Sequence, residues 1–149
     1  MMVEHFREKL LAMEGGTYLK VEGNAEPFVN PTEDTIRGQL KGLRSTGPSL
    51  LALVRPDGSH LLAVGNARGC VIDGYVVKPE GKTHIQLGRP HWKEPGLFMS
   101  TTGAPLLVNS TDIWSVSEAL ALFVAFAKTG SIRPDCIKPT FGPSVPLEK

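Results

Sequence analysis

From Val3 to Met13 apolar side chains recur at Val3, Phe6, Leu10 and Met13, with Glu4, Arg7, Glu8 and Lys9 between them, which predicts a helix with one buried stripe. Gly15-Gly16 closes it. The period then drops to two: Thr17, Leu19 and Val21 alternate with Tyr18 and Lys20, predicting a half-buried strand that ends at Gly23-Asn24. Asn30-Pro31-Thr32-Glu33 predicts a helix start, with Asn30 as N-cap, Pro31 in the first helical position and Glu33 reaching back as a capping-box carboxylate. Ile36, Leu40 and Leu43 continue that helix on one face. Gly38 and Gly42 each weaken it by about 1 kcal/mol relative to Ala, so packing must hold it.

Two apolar runs follow, Leu50 to Val54 and Leu61 to Val64, joined by Pro56-Asp57-Gly58, whose Pro and Gly preset turn dihedrals and whose Asp can bond its own backbone. A second pair, Cys70 to Lys78 and Lys82 to Leu87, is joined by Pro79-Glu80-Gly81. Its second member alternates Lys82, His84 and Gln86 with Thr83, Ile85 and Leu87, the pattern of a sheet with one wet face. Strands in succession with tight turns predict an antiparallel meander rather than βαβ units. Between residues 89 and 114, Pro90, Pro95 and Pro105 break any long element, leaving one or two short edge strands and an exposed loop. Ser115 then stands three residues before Glu118, a capping-box spacing, and Val116 to Lys128 runs to Gly130. Ala119, Leu120, Leu122, Phe123, Val124, Phe126 and Ala127 cover most of its circumference. This predicts a helix across the sheet, buried on most sides and in part by the N-terminal helix. Pro134, Pro139, Pro143 and Pro146 exclude helix or central strand from the tail.

The fold class expected is α+β: an antiparallel meander sheet packed by a largely buried C-terminal helix plus two shorter N-terminal helices. A chain of 149 residues, 41% hydrophobic and 21% charged, fits a single domain, with an N-terminal helix (1–16), an α+β core (17–130) and a Pro-rich tail (131–149). A net charge of +1 lacks the basic field that draws proteins onto phosphate backbones, so no nucleic-acid partner is expected. Charged residues interrupt the N-terminus where a signal peptide needs an apolar stretch, and the longest apolar run, Ala119 to Ala127, falls short of the roughly 20 residues a bilayer requires. The chain therefore reads as cytoplasmic, with no membrane association.

Chemistry is sparse in the pattern. No phosphate-binding loop is present. Cys70 and Cys136 stand in no metal-ligand spacing and read as small buried hydrophobes, and His5, His60, His84 and His91 are dispersed. Neither metal nor cofactor is expected. His84 alternates with Lys82 and Gln86 and so falls on a solvated face. Asp73, inside an apolar strand, would be costly to bury unpaired, and the adjacent Gly74 suggests a bulge that turns it outward. His91-Trp92-Lys93-Glu94, framed by Pro90 and Pro95, is either a lid on the core edge or an exposed aromatic anchor of the kind found at interface centres.

Taken in order, Asn30-Pro31-Thr32, Asp57-Gly58, Val64-Gly65, Gly103-Ala104-Pro105, Ser117-Glu118-Ala119-Leu120, Phe126 and Thr129-Gly130 resemble the Imm1 family of bacterial immunity proteins over roughly residues 17–141. The resemblance implies a non-catalytic α+β protein of a polymorphic toxin system, used in interbacterial competition. Such a protein binds and neutralises a cognate toxin domain, often a nucleic-acid deaminase, as a monomer when free or 1:1 with the toxin, or as a homodimer. Two features depart from the pattern: Phe141 stands where members often carry Trp, and the chain is nearly neutral where immunity proteins facing basic toxins are often acidic. On this reading Trp92 and Phe98 serve as apolar anchors, and Asp57, Glu80, His91 and Glu94 as polar rim contacts for toxin cations. Two alternatives stand beside it. One is a small hydrolase or transferase using Asp73, His84 or His91 in one pocket. The other is an adaptor that self-associates through the edge at residues 97–108.

Overall fold

The apolar runs between turn residues pair into one six-stranded antiparallel sheet, seen in a computed structural model that describes residues 2–10, 16–88, 95–99, 105–109 and 113–137. In chain order the elements are α1 (Met2–Glu8), β1 (Tyr18–Val21), β2 (Phe28–Val29), α2 (Glu33–Lys41), β3 (Leu50–Val54), β4 (His60–Asn66), β5 (Gly69–Lys78), β6 (Gly81–Gln86), β7 (Pro95–Met99), β8 (Pro105–Asn109) and α3 (Val116–Thr129). A short 3₁₀ turn, Pro134–Cys136, follows α3. The sheet order β2-β1-β3-β4-β5-β6 is the meander that the tight turns predict, with β2 added at one edge. β7 and β8 pair with each other as a separate hairpin, so each already has a partner along the stretch considered for self-association.

Both faces of the sheet are covered. Leu19, Val21, Leu51, Leu53, Leu61, Ala63, Ile72 and Ile85 point to the side where Ile36 and Leu40 of α2 meet Ala119, Leu120, Phe123 and Phe126 of α3. Leu50, Ala52 and Leu62 point the other way, onto Phe6 of α1. β3 is buried at all five positions, which is why its sequence is a continuous apolar run rather than an alternation.

Several local expectations need correction. α1 ends at Glu8 rather than Met13, and backbone bonds from Lys9 to Phe6 and Leu10 to Arg7 finish it as a turn. The N-cap of α2 is Thr32, which accepts from the Thr35 N–H, while Asn30 sits at φ 48° and its side chain accepts from the Thr17 N–H. Asn30 thus ties β1 to the chain entering α2, a role open to it because its short amide tolerates left-handed backbone. Tyr18 is buried, so β1 is covered on both faces. α3 packs beside α2, on the sheet face opposite α1, so the N-terminal helix does not cover it. Its predicted caps are in place: Ser115 and Glu118 form the capping box and Gly130 closes the helix in the left-handed conformation.

Candidate functional site

The strand registers decide which polar residues meet. β4 and β5 pair His60 with Tyr75 and Leu62 with Asp73; β5 and β6 pair Tyr75 with His84 and Asp73 with Gln86. Opposed residues share a face, so His60, Tyr75 and His84 form one cross-strand row and Asp73 lies in the next, on the face that α1 covers. The pairing is unbroken at Asp73 and Gly74, so no bulge turns the carboxylate outward. Strand parity points Asp73 toward α1, and Gly74 is glycine because an added Cβ would collide with the His60 carbonyl oxygen of β4.

Arg7 of α1 reaches into this face. Its Nη2 donates to both Asp73 oxygens at 3.0 Å, its Nη1 lies 2.8 Å from His60 Nε2, and its guanidinium carbon sits 5.3 Å from the Tyr75 ring centroid. His84 Nε2 lies 2.9 Å from Asp73 Oδ2, and the His84 ring stacks on Tyr75 at 4.8 Å. The protonation pattern follows from donor chemistry. A guanidinium has no acceptor, so His60 Nε2 accepts and this imidazole is neutral. A carboxylate can only accept, so His84 Nε2 carries a hydrogen and donates to Asp73.

The electrostatics agree. Burial, reinforced by the adjacent Arg7 charge, lowers the His60 pKa to about 4. Burial pushes the Asp73 carboxyl up, but the His84 hydrogen bond and the Arg7 guanidinium outweigh it and hold Asp73 below its ordinary value. Both cysteines are buried, and burial raises the Cys70 thiol to about 12, so neither is a thiolate nucleophile at neutral pH. Among the described residues no group of three or more His, Cys, Asp or Glu side chains could hold a metal ion. No helix among them is long and apolar enough to cross a membrane.

Comparison with protein-family models, with curated proteins and with solved structures gives no match. The cluster is a polar clamp that fixes α1 on the sheet, with both Asp73 oxygens already engaged. It also holds an Asp-His pair with His84 Nδ1 turned away from the carboxylate, the orientation that would let that nitrogen take a proton.

Of the residues expected at an interface, Asp57 and Glu80 lie exposed in the β3–β4 and β5–β6 turns, which share one end of the sheet. Asp57 Oδ1 accepts from the Ser59 N–H at 2.8 Å and so shapes its own turn, as its Pro-Asp-Gly context predicts. Phe98 falls on β7. His91, Trp92 and Glu94 lie outside the described residues. At the opposite end of the sheet an open depression is lined by Glu22, Asn24, Thr46 and Ser49, where Glu22 is held by the Ser49 N–H and hydroxyl.

The sequence pattern placed His84 on a solvated face; the hydrolase alternative grouped it with Asp73, as the 2.9 Å contact does, but included neither His60 nor Arg7. Lys82 and Gln86 are indeed exposed, but His84 is half-buried under the clamp. A signal existed. The two-residue turns at Ala67-Arg68 and Pro79-Glu80 fix registers that align His60, Tyr75 and His84. Arg7 gave none, because its docking is tertiary.

Proposed function

We propose that this chain is an immunity protein that binds a cognate bacterial toxin domain and neutralises it by protein–protein contact. The observation that carries this reading is the order of the Imm1-like motifs together with where they fall. Asn30 to Thr32 join β2 to α2, Asp57-Gly58 turns β3 into β4, Ser117 to Leu120 open α3 and Thr129-Gly130 close it. Motifs at the joints of an α+β fold specify its architecture, and the α+β class is what the resemblance implies. The contact proposed uses Asp57 and Glu80 at one end of the sheet, Phe98 of β7 and, from outside the described residues, His91, Trp92 and Glu94, within a total interface of about 1,200–2,000 Å². Toxins of the nucleic-acid deaminase class are the first to test.

Co-expression with the toxin domain encoded beside this gene is expected to rescue growth. Trp92→Ala combined with Glu94→Ala should weaken binding at least about tenfold, the loss of roughly 1.4 kcal/mol or more expected when an aromatic anchor is removed. Unchanged protection would remove that segment from the contact, and absence of any binding by the unmodified chain would remove the reading itself.

The 2.9 Å Asp73–His84 pair favours one alternative, a small hydrolase in which His84 acts as general base. That reading requires purified protein to turn over an ester, amide or phosphoester, and requires His84→Gln to lower the rate about a hundredfold or more. Under the binding reading His84→Gln leaves toxin neutralisation intact and changes only the stability of the clamp.

A further inference from the structure

Three side chains of the sheet converge on the Arg7 guanidinium, and a fourth braces them. Asp73 of β5 offers both carboxylate oxygens at 3.0 Å, His60 of β4 offers a ring nitrogen at 2.8 Å, and Tyr75 of β5 offers a ring centred 5.3 Å away. His84 of β6 donates to Asp73 Oδ2 at 2.9 Å and stacks on Tyr75 at 4.8 Å, so it fixes the orientation of both.

This chemistry selects arginine over lysine. A guanidinium is planar and carries its N–H groups as a rigid fork, so it can serve a carboxylate and a second acceptor together while an aromatic ring lies against it. A lysine ammonium is a compact point charge. It can pair with Asp73 but cannot reproduce the whole set.

Socket and occupant belong to different parts of the fold. The unbroken registers of β4, β5 and β6 set His60, Tyr75 and His84 in one row with Asp73 in the next, so the sheet builds the socket whichever arginine fills it. The occupant rides on α1, which has seven residues, fewer than the roughly 12–15 an isolated helix needs. Two adjacent side chains dock it: Phe6 on Leu50, Ala52 and Leu62, and Arg7, whose side chain is 12% exposed. An element held by so few groups opens at lower free energy than the sheet beneath it.

We infer that this face of β4, β5 and β6 is an arginine-recognition site, filled in cis by Arg7, that takes an arginine-bearing segment of another protein when α1 lifts away. The segment that fits presents an arginine directly after a bulky apolar residue, as Phe6-Arg7 does. The arginine enters between Asp73, His60 and Tyr75, and the apolar side chain covers Leu50, Ala52 and Leu62. Lys82 shares the face of β6 with His84, and its charge acts on His60, so one arginine suits the site better than a basic run. The inference does not depend on the immunity reading. Its consequence is that α1 competes with such a partner for the sheet.

The experiment uses the full chain with Arg7→Ala, which empties the socket, and two probes, acetyl-Phe-Arg-amide and acetyl-Phe-Lys-amide. Titrations followed by the His60 and His84 ring resonances should show saturable binding of the arginine probe, at least about tenfold tighter than the lysine probe. Asp73→Asn added to Arg7→Ala should abolish it. The unmodified chain should bind the arginine probe at least about tenfold more weakly than Arg7→Ala, because Arg7 competes. No saturable binding to folded Arg7→Ala, equal affinity for both probes, or binding that survives Asp73→Asn overturns the proposal and leaves Arg7 a structural tie. Should Arg7→Ala fail to fold, hydrogen exchange on the unmodified chain decides. Millimolar arginine probe should speed exchange of the Lys9 and Leu10 amides, which bond back to Phe6 and Arg7, at least about fivefold, and the lysine probe should not. Unchanged protection of both amides overturns it.

Discussion

Between pH 6.5 and pH 4 the protein is expected to lose about 3 kcal/mol of folding stability at a single residue, His60, whose pKa falls from 6.5 to about 4 on folding. The sign follows from proton counting. The folded state holds His60 neutral because Arg7 donates to its Nε2 and the ring is buried, whereas the unfolded chain protonates it below pH 6.5. Over that window the unfolded state binds the extra proton, so stability is fully present above pH 6.5 and declines as pH falls toward 4. Asp73 adds a separate loss at lower pH, since its carboxyl is held below the ordinary 3.8 and must be protonated before its bonds to Arg7 and His84 are given up. Urea unfolding at stepped pH checks this. His60→Gln keeps an acceptor for Arg7 but cannot titrate, so its stability should be nearly flat over the upper window. A variant as pH-sensitive as the parent would show that His60 is not the source.

Phe123→Ala is expected to cost about 3–5 kcal/mol, the range for truncating a large buried aromatic. Phe123 is fully buried at the centre of the α3 face, against the sheet and α2, where close packing leaves little room for collapse into the void. Ala125→Ser, two residues on and exposed, should change stability by no more than about 0.5 kcal/mol. Denaturant midpoints at constant slope decide between them. Similar losses at both positions would contradict the placement of α3.

Turn chemistry and period made much of the fold legible. Pro56-Asp57-Gly58 and Pro79-Glu80-Gly81 marked the hairpins, and the Ser115–Glu118 capping box with Gly130 bracketed α3. Those signals are local: each rests on dihedral preferences or bonds within a few residues. The errors share the opposite character. Asn30 looked like an N-cap because its neighbours permit one, yet Thr32 caps α2 and Asn30 bonds across to Thr17. Asp73 looked like a bulge residue because burial of a lone carboxylate is costly, yet its cation, Arg7, arrives from 66 residues away.

The sequence by itself therefore determined the α+β class, the meander order, the turns and the caps of α3, because hydrophobic period and local backbone bonding are written in consecutive residues. Only the tertiary structure decided that α1 and α3 lie on opposite faces of the sheet and that Arg7 draws Asp73, His84 and His60 into one cluster. A buried charge is tolerated only beside its partner, and which partner arrives is settled by how a helix docks, a contact that no spacing along the chain encodes.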